Sequence, residues 1–596
     1  MWSCPLALPA ANVNPDTYLA HIKYLASPEL KGRATGSPEL EKAAAYIAAQ
    51  FQSFGLKPVS GKSYELAFPA ELGAKLGPDN AFAYSDAGSK QTLKEGQEFV
   101  PFNFSTNGNF SGPVVFAGYG ITAKEHHYDD YAGIDVKDKL VLILRHEPQE
   151  NDDKSVFDGK RLTQHATFID KMMNAKMHGA RGVILINDVA AHSSSEDKLE
   201  KFGTNGGPRD AGIFFVQMKA ATADAWLRAE GHDLKQIEKD IDSDLKPRSF
   251  ALDKVDVDLS VDLIHETKTV HNVAAYLPGK TSEYVIIGAH YDHLGLGDEH
   301  SLAPNQMGVV HPGADDNASG TAGVIELARW FSEQPQPRRG ILFMTFAGEE
   351  LGLLGSNWYV NHPLLPEENA VAMLNLDMIG RVQGGRVFVS GGQTGSTFAK
   401  ILEEVKLPAP LHIDESGKNS GTNMSDASDH ASFASKQIPV LFFFSGLHAD
   451  YHKPSDTADK IDAVDAAKLL DYVADIATHL SADADRPKFE HVARPAAGPV
   501  SGGGGQSGYG PDFGSIPDFN EPPKGVRFAD IREGSPAAKA GLKPGDIMIE
   551  FAGKPIGNLY DFTYALRDSK AGDLVLVKVL RGAQTIDAKV LLTERR

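Results

Sequence analysis

Four short stretches of uninterrupted apolar residues, separated by helical patterns, constrain the fold of this chain most strongly. They span residues 284–289, 341–347, 371–376 and 440–444, and helical patterns cover 320–331 and 466–480. A strand that is apolar at every position is buried on both faces. Such strands alternating with helices are typical of a mostly parallel sheet that helices cover on both sides. The sequence therefore predicts an α/β domain built on a mostly parallel mixed sheet.

Each of these strands is followed by residues whose side chains bind metal ions. His290 follows the first strand, Glu349 and Glu350 follow the second, Asp377 follows the third, and the loop after the fourth carries His452. In open α/β sheets, ligands bind beyond the carboxyl ends of the strands. We therefore expect these side chains to converge on a single site.

The mixture of imidazoles and carboxylates indicates metal-assisted hydrolysis. Both groups are good zinc ligands, and two metal ions about 3.5–4 Å apart need a carboxylate that bridges them. The pair Asp315 and Asp316 supplies further carboxylates. A carboxylate that binds no metal can accept the proton of the attacking water. Asp292, two residues after His290, is placed to accept a hydrogen bond from the second ring nitrogen of that histidine.

The bulk composition argues against several classes of protein. A net charge of -20 without a basic block argues against nucleic acid as a partner. The sequence contains no stretch of about 18 consecutive apolar residues, so it does not predict a membrane span. The first residues lack a charged region and an apolar region, so they do not form an intact signal peptide. We expect a secreted or periplasmic protein with a trimmed signal and a lipid anchor at Cys4, with a cytoplasmic location as the alternative.

Changes in composition along the chain predict several segments. Residues 501–505 are Ser-Gly-Gly-Gly-Gly, and prolines flank them. Such a segment buries too little apolar surface to order itself. The predicted segments are a flexible N-terminus at 1–14, the α/β domain at 15–105 and 266–482, a β-rich insert at 106–265, a linker at 483–507 and a small β-rich domain at 508–596.

The motifs of the α/β domain, taken in order, resemble the two-zinc aminopeptidases of metallopeptidase family twenty-eight. The resemblance rests on GAHYDHLG (288–295), GADDNASG (313–320), FAGEELGLLGS (346–356), LNLDMIGR (374–381), SDHASF (428–433) and DYHKPSDT (450–457). It implies a zinc exopeptidase fold that binds two Zn²⁺ ions per chain. It also implies an activity, the removal of N-terminal residues from peptide substrates.

The resemblance further implies the metal ligands. One zinc ion would be held by His290 and Asp377, the other by Glu350 and His452, and both by Asp316. Asp316 is preferred to Asp315 because the bridging aspartate of the family precedes a Ser-Gly pair by three positions, as Asp316 precedes Ser319. The peptide bond after Asp316 is expected to be cis.

The resemblance also implies roles for three further residues. Glu349 would be the general base, Asp292 the hydrogen-bond partner of His290, and Tyr451 a donor to the tetrahedral oxyanion. The other histidines near the motifs are interpreted as surface or supporting residues: His293, His430 and His448.

Two other segments resemble binding domains. Residues 116–121 and 171–188 resemble a protease-associated (PA) domain, which would cover the mouth of the active site and carry no chemistry. Residues 532–556 resemble a PDZ domain of bacterial proteases. PDZ domains bind peptide C-termini by adding a strand to a sheet edge, and residues 513–516 would form the carboxylate loop. The alternative is a domain that only docks onto the catalytic core.

Three competing functions stay open at this stage. A carboxypeptidase or dipeptidase on the same fold would need basic side chains that grip a carboxylate, and Arg381 is the candidate near a motif. A glutaminyl cyclotransferase would use one zinc ion on a similar scaffold. A non-catalytic receptor or scaffold would use only the PA and PDZ segments for binding.

Overall fold

The chain divides into two compact units in the computed structural model. The described residues are 11–594 except 60, 87–88, 161, 192–195, 204–207, 298–299, 307, 415–427, 491–509, 518–521, 523 and 533. Cys4 and most of the predicted linker lie outside them. The first unit comprises the described parts of 1–72 and 267–496, and the second comprises those of 73–266 and 510–594.

The helices and strands are numbered in chain order. The α-helices are α1 (Pro15–Leu25), α2 (Pro38–Ser53), α3 (Phe168–Met177), α4 (Ala220–Ala229), α5 (Leu234–Asp244), α6 (Gly320–Ser332), α7 (Leu354–Asn361), α8 (Phe398–Glu404), α9 (His430–Ser435), α10 (Ala463–Ala482), α11 (Pro536–Lys539) and α12 (Leu559–Arg567). The strands are β1 (Lys57–Pro58), β2 (Glu65–Leu76), β3 (Ala81–Asp86), β4 (Ser89–Leu93), β5 (Phe99–Pro101), β6 (Gly108–Phe116), β7 (Thr122–Ala123), β8 (Tyr128–Asp129), β9 (Leu140–Leu144), β10 (Gly182–Ile186), β11 (Phe214–Met218), β12 (Phe250–Val261), β13 (Leu263–Leu277), β14 (Tyr284–His290), β15 (Gly340–Phe346), β16 (Ala370–Leu376), β17 (Arg386–Ser390), β18 (His412–Ile413), β19 (Val440–Phe444), β20 (Ser515–Pro517), β21 (Val526–Ile531), β22 (Ile547–Phe551), β23 (Lys554–Pro555), β24 (Leu574–Arg581) and β25 (Gln584–Leu591).

The first unit is built on a mixed sheet with the order β1-β13-β15-β14-β16-β19-β17-β18, and β2 also pairs with β13. The four predicted strands form its centre: β14 pairs in parallel with both β15 and β16, and β16 pairs in parallel with β19. Each lies within one residue of its predicted bounds. The order in which the chain adds strands reverses at β14, so a crevice is expected beyond the carboxyl ends of the central strands.

Both faces of this sheet are buried, as the apolar strands require. Val285 and Ile287 of β14 belong to the core on one face, which the helices α1, α2, α6 and α10 also line. Tyr284 and Ile286 belong to the core on the other face. Alternate residues of a strand point to opposite faces. The predicted mostly parallel mixed sheet between helices is therefore confirmed.

The sheet of the insert has the order β4-β3-β12-β6-β9-β10-β11-β5. Strands β6, β9, β10 and β11 run parallel to their neighbours in this series, and β3 and β5 pair antiparallel with β12 and β11. Residues 81–101 were predicted to belong to the α/β domain, but their strands complete the sheet of the insert. The structure therefore divides the chain near residue 73 rather than at 105.

The C-terminal part of the second unit contains a separate β-sheet with the order β20-β21-β22-β24-β25, and β23 pairs with β22. Its core is closed by α11 and α12, because Ala537, Phe562 and Leu566 pack among the apolar residues of the strands. Among the described residues, no helix is long and apolar enough to cross a membrane.

Candidate active site

His290 is the centre of a first group of potential metal ligands. It is the last residue of β14 and is buried, at 1% exposure. Its Nε2 atom lies 3.4 Å from Oδ1 of Asp316 and 3.5 Å from Oδ1 of Asp377, which directly follows β16. The hydroxyl of Thr321 donates to the main-chain carbonyl of His290 at 2.6 Å and fixes the end of the strand. Residues from three separate elements thus meet at one ring nitrogen.

His452 is the centre of a second group. Its Nε2 atom lies 3.2 Å from Oδ2 of Asp316 and 3.2 Å from Oε2 of Glu350. Asp316 therefore faces one imidazole with each of its carboxylate oxygens. A carboxylate between two ligand groups is what a pair of bridged metal ions requires.

The two histidines are oriented by main-chain carbonyls. Nδ1 of His290 lies 3.3 Å from the carbonyl oxygen of Asp292, and Nδ1 of His452 lies 2.9 Å from that of His300. A carbonyl oxygen only accepts hydrogen bonds, so each Nδ1 carries the proton. Each Nε2 is then left to bind a ligand, as in metal-binding histidines whose second nitrogen donates to the protein.

The carboxylate of Asp292 lies beside His290, where it raises the pKa of that histidine, and it also has other partners. It lies 3.7 Å from Nδ1 of His290, which is nearer to the main-chain carbonyl of the same residue. Its two oxygens accept from the hydroxyl of Thr35 at 2.7 Å and from the N–H of Glu349 at 3.1 Å. Asp292 therefore positions the backbone of Glu349, while its carbonyl orients the histidine.

His293 belongs to the site, although sequence reasoning interpreted it as a surface or supporting residue. Its ring is buried, and Nδ1 lies 2.7 Å from Oε1 of Glu350 and 3.9 Å from Oδ2 of Asp316. The buried guanidinium of Arg33 holds the surrounding loop by donating to the carbonyls of Tyr291 and Gly313. The position of His293 three residues after His290 was the only signal in the sequence for its place in the site. That place also depends on the path of the loop, which Arg33 holds.

Asp456 is a second residue that sequence reasoning missed, although it lies in the motif of His452. Its Oδ2 atom accepts from the N–H groups of Asp315 and Asp316 at 2.9 and 3.1 Å. The peptide bond between Asp316 and Asn317 is cis, as expected. The side chain of Asp315 turns away, accepting from the N–H of Gly380 at 2.7 Å. Asp456 thereby holds the turn that aims Asp316 into the site.

Glu349 and Glu350 are adjacent in sequence, but their pKa values are shifted in opposite directions. Burial raises the pKa of Glu349 well above its usual value, against the opposing effect of His290, and Glu350 raises it further. Although burial and Asp316 oppose ionisation, hydrogen bonds from His293 and His452 lower the pKa of Glu350 to about 2. The pair thus combines a carboxyl group of lowered pKa with one of raised pKa.

The two remaining predicted residues lie on the rim. The ring of Tyr451 stacks on His452 with 3.9 Å between ring centroids, and burial raises the pKa of its hydroxyl, so it stays a potential donor. Arg381, the candidate for gripping a substrate carboxylate, donates to Asp450 at 2.9 Å and lies 4.0 Å from Asp456. Its charge is already matched by these acidic partners.

The donor set fits divalent metal ions. The ligand atoms of His290, Asp316 and Asp377 lie within 4.8 Å of one another, and so do those of His293, Asp316 and Glu350. Both groups are buried and rich in carboxylates. Buried carboxylates are costly unless cations or donors offset them. Imidazole and carboxylate ligands suit zinc and related metals.

Comparison with known proteins identifies three domain types. Residues 272–477 match the model of peptidase family M28, residues 110–226 match the PA domain, and residues 510–592 match the PDZ domain. The three resemblances predicted from the motifs are thereby confirmed.

Individual relatives match a smaller part of the chain. A probable leucine aminopeptidase of Arthroderma otae is 31% identical over 211 residues, which are 34% of this chain and 54% of that protein. Leupeptin-inactivating enzyme 1 of Streptomyces exfoliatus is 32% identical over 196 residues, covering 32% of this chain and 39% of that protein. The chain thus spans about half or less of the length of these relatives. An aminopeptidase structure from Aneurinibacillus sp. strain AM-1 matches 81% of this chain and 97% of its own, with 24% identity and a TM-score of 0.47.

Proposed function

We propose that the chain, whose residues 272–477 match the model of peptidase family M28, is an aminopeptidase that removes N-terminal residues from peptides with two zinc ions. The observation that carries this proposal is the position of Asp316. Its two oxygens face His290 at 3.4 Å and His452 at 3.2 Å. One carboxylate shared by two ligand groups supports two metal ions rather than one, which separates this proposal from the cyclotransferase.

The proposed holders of the metal are the two groups that share Asp316: His290 and Asp377 on one side, and Glu350 and His452 with adjacent His293 on the other. Zinc bound there would polarise the scissile carbonyl and lower the pKa of an attacking water. Positive charge in these groups would also offset Glu350 and Asp377, two of the carboxylates that raise the pKa of Glu349. Glu349 could then serve as a base.

Glu349 performs the proton transfer in this proposal. Its main chain is fixed by the hydrogen bond to Asp292, and its side chain is 14% exposed, with Oε2 4.0 Å from Nε2 of His290. The carboxylate takes a proton from the attacking water and delivers it to the leaving amine. Tyr451 donates its hydroxyl to the oxyanion, and Glu349 and Glu350 hold the ammonium group of the substrate.

An apolar N-terminal residue is the proposed substrate preference. Two relatives are named leucine aminopeptidases, and exposed apolar side chains lie in the loops that carry the second ligand group. Leu447 is 69% exposed and Leu302 57% exposed, and the N–H of Leu302 donates to the carbonyl of His452 at 3.0 Å. For the PDZ segment, we keep the C-terminus of a peptide as the proposed ligand.

Blocked peptides test the direction of cleavage. We expect a leucyl peptide with a free amine to be hydrolysed whether or not its carboxyl end is amidated, and an N-acetylated peptide to be resistant. Metal analysis of the same protein should give two zinc ions bound at the M28 segment. Cleavage that requires a free carboxylate and ignores acetylation would instead identify a carboxypeptidase. The pairing of Arg381 with Asp450 argues against that outcome.

A further inference from the structure

A second group of metal-binding side chains lies in the insert, within the second unit. Glu125 and His126 lie in the short turn between β7 and β8, and His165 lies just before α3. Nε2 of His165 is 2.8 Å from Oε1 of Glu125, and candidate ligand atoms of all three residues lie within 4.8 Å of one another. Two imidazoles and one carboxylate form a donor set that is common at zinc sites.

The surroundings of Nδ1, the second ring nitrogen of His165, support this interpretation. The residue is 5% exposed, and its Nδ1 atom lies 3.4 Å from Oδ2 of Asp170, which is 1% exposed. Among the described residues, these two buried atoms face each other and have no other hydrogen-bond partner. Histidines that bind metal through one nitrogen almost always direct the other N–H to a carboxylate or a carbonyl. A metal ion at Nε2 would place the proton on Nδ1, directed at Asp170.

We propose that Glu125, His126 and His165 form a further metal site, which binds zinc or a similar divalent transition metal and has a structural role. All three residues belong to the second unit, whereas the proposed catalytic ligands belong to the first. Solvent can reach it through Glu125, whose side chain is 56% exposed. Bound metal would tie the turn after β7 to the start of α3.

The same site would also stabilise the contact between the PA and PDZ segments. Oδ1 of Asp170 accepts from the hydroxyl of Tyr564 and from Nη1 of Arg567 at 3.1 Å, and both of these residues lie on α12. Tyr564 packs in the core that α3 lines. Asp170 therefore faces the proposed ligand His165 with one oxygen and the PDZ helix with the other. Metal bound at His165 would fix the carboxylate that receives α12.

A different cluster of the insert is less suited to a metal. His146, Glu150 and Asp188 also bring ligand atoms together, but they offer a single imidazole. Nδ1 of His146 already pairs with Asp188, whose carboxylate also accepts from the N–H of His146 at 3.3 Å. These groups neutralise one another within the protein, whereas the cluster of Glu125, His126 and His165 offers two imidazoles.

The alternative for the proposed site is a protonated His165 held between two carboxylates. Asp170 and Glu125 raise the pKa of His165 against the opposing effect of burial. Metal binding and protonation exclude each other at Nε2, because each uses the same lone pair. An experiment that counts metal ions therefore separates the two.

Metal content of the full-length protein tests the proposal. We compare the wild type with the double variant Glu125→Gln/His126→Asn after equilibration with zinc alone and removal of the excess. The proposal expects one zinc ion fewer in the variant, with the same rate of peptide cleavage. These positions are used because buried His165 could be needed for folding. The control is His232→Gln, a histidine of the insert that stacks on Phe250 outside the cluster, and it should retain the full content.

The comparison does not depend on the catalytic centre. Equal zinc content in the wild type and the double variant overturns the proposal whatever the total, and leaves the protonated His165 as the correct description. Asp170→Asn should weaken binding of the additional zinc ion by about 10- to 100-fold. An unchanged affinity in that variant would also contradict the role of Asp170. Loss of peptidase activity in Glu125→Gln/His126→Asn would contradict a structural role separate from the catalytic site.

Discussion

The sheets of the first unit and of the insert both bring ionisable residues beyond the ends of parallel strands, but the two sheets balance the charges differently. In the insert, β9 leads to His146 and β10 leads to Asp188, which pair with each other. Glu238 of α5 accepts from the N–H groups of Val189 and Ala190 at 2.9 and 2.6 Å. The protein itself therefore supplies donors for these carboxylates.

In the catalytic unit, the carboxylates face imidazoles and one another. Oxygens of Asp316, Glu350 and Asp377 lie 3.2–3.5 Å from ring nitrogens that can bind metal. The main-chain N–H groups around them are bound by Asp456 and Asp292 instead. Strand ends thus concentrate charge in both sheets. A catalytic metal centre requires, in addition, that the protein leave the carboxylates to an external cation.

The largest effect is expected from removing the charge that the two ligand groups share. Asp316→Asn should remove zinc from both groups and reduce turnover by on the order of 10⁴-fold, since the metal ions supply several kcal/mol of catalysis. Metal analysis and the rate on a leucyl peptide measure both effects. The control is Asp459→Asn on an exposed turn. If Asp316→Asn kept its full metal content, the carboxylate would not bridge, and the contrast between the two sheets would fail.

A large loss of rate without loss of metal is expected at the neighbouring base. Glu349→Gln removes the proton acceptor but none of the proposed ligands, so turnover should fall by about 10²–10⁴-fold while zinc stays bound. The rate constant kcat and the zinc content are measured on the same sample. The exposed Glu403→Gln at the end of α8 is the matched control. Full activity of Glu349→Gln would assign the proton transfer to another residue.

A smaller effect is expected at the residue that holds Asp316 in place. Asp456→Ala removes the acceptor of two main-chain N–H groups, and zinc affinity should fall by about 10- to 100-fold. Asp456→Asn keeps one oxygen that can accept, and it should recover most of the affinity. Zinc titration of the metal-free protein compares the two variants. Equal affinities for the alanine and asparagine variants would show that Asp456 acts through its charge and not through these hydrogen bonds.

The central strands were predictable because continuous apolar runs are a local signal that both faces of the strand are buried. His290 and Asp377 followed from them, since each residue lies at the end of such a strand. Asp316 was chosen over Asp315 only through the resemblance to a family. Strands β3 and β5 were assigned to the α/β domain, because their pairing with β12 and β11 joins residues far apart in the chain.

The positions of His293 and Asp456, and the additional partners of Asp292, could not be predicted for a related reason. Asp292 accepts a hydrogen bond from Thr35, 257 residues earlier in the chain, and Asp456 holds Asp316, 140 residues away. Local patterns of hydrophobicity and turn residues carry no information about such partners. The loops of the site depend on these distant contacts, whereas the strands depend mainly on their own composition.

The smallest functional effect is expected in the insert, where pH should change stability and leave catalysis unaltered. Burial raises the pKa of Glu238 to about 8, although hydrogen bonds from the N–H groups of Val189 and Ala190 act to lower it. The usual value, 4.5, applies to the unfolded chain. The folded insert then holds a proton that the unfolded chain releases. Its contribution to stability is complete below about pH 4.5 and is lost as the pH rises through about 8.

Glu238→Gln should therefore flatten the pH dependence of unfolding of the insert between pH 4.5 and 8, a change of up to a few kcal/mol. Thermal unfolding of the full-length protein across this range, with exposed Asp253→Asn as the control, measures it. Peptide cleavage should be unchanged, because Glu238 lies in the unit that lacks the proposed catalytic ligands. If the variant kept the slope of the wild type, Glu238 would be ionised in the folded insert. The charges at this sheet would then be balanced without a bound proton, and the contrast with the catalytic sheet would rest on hydrogen bonds alone.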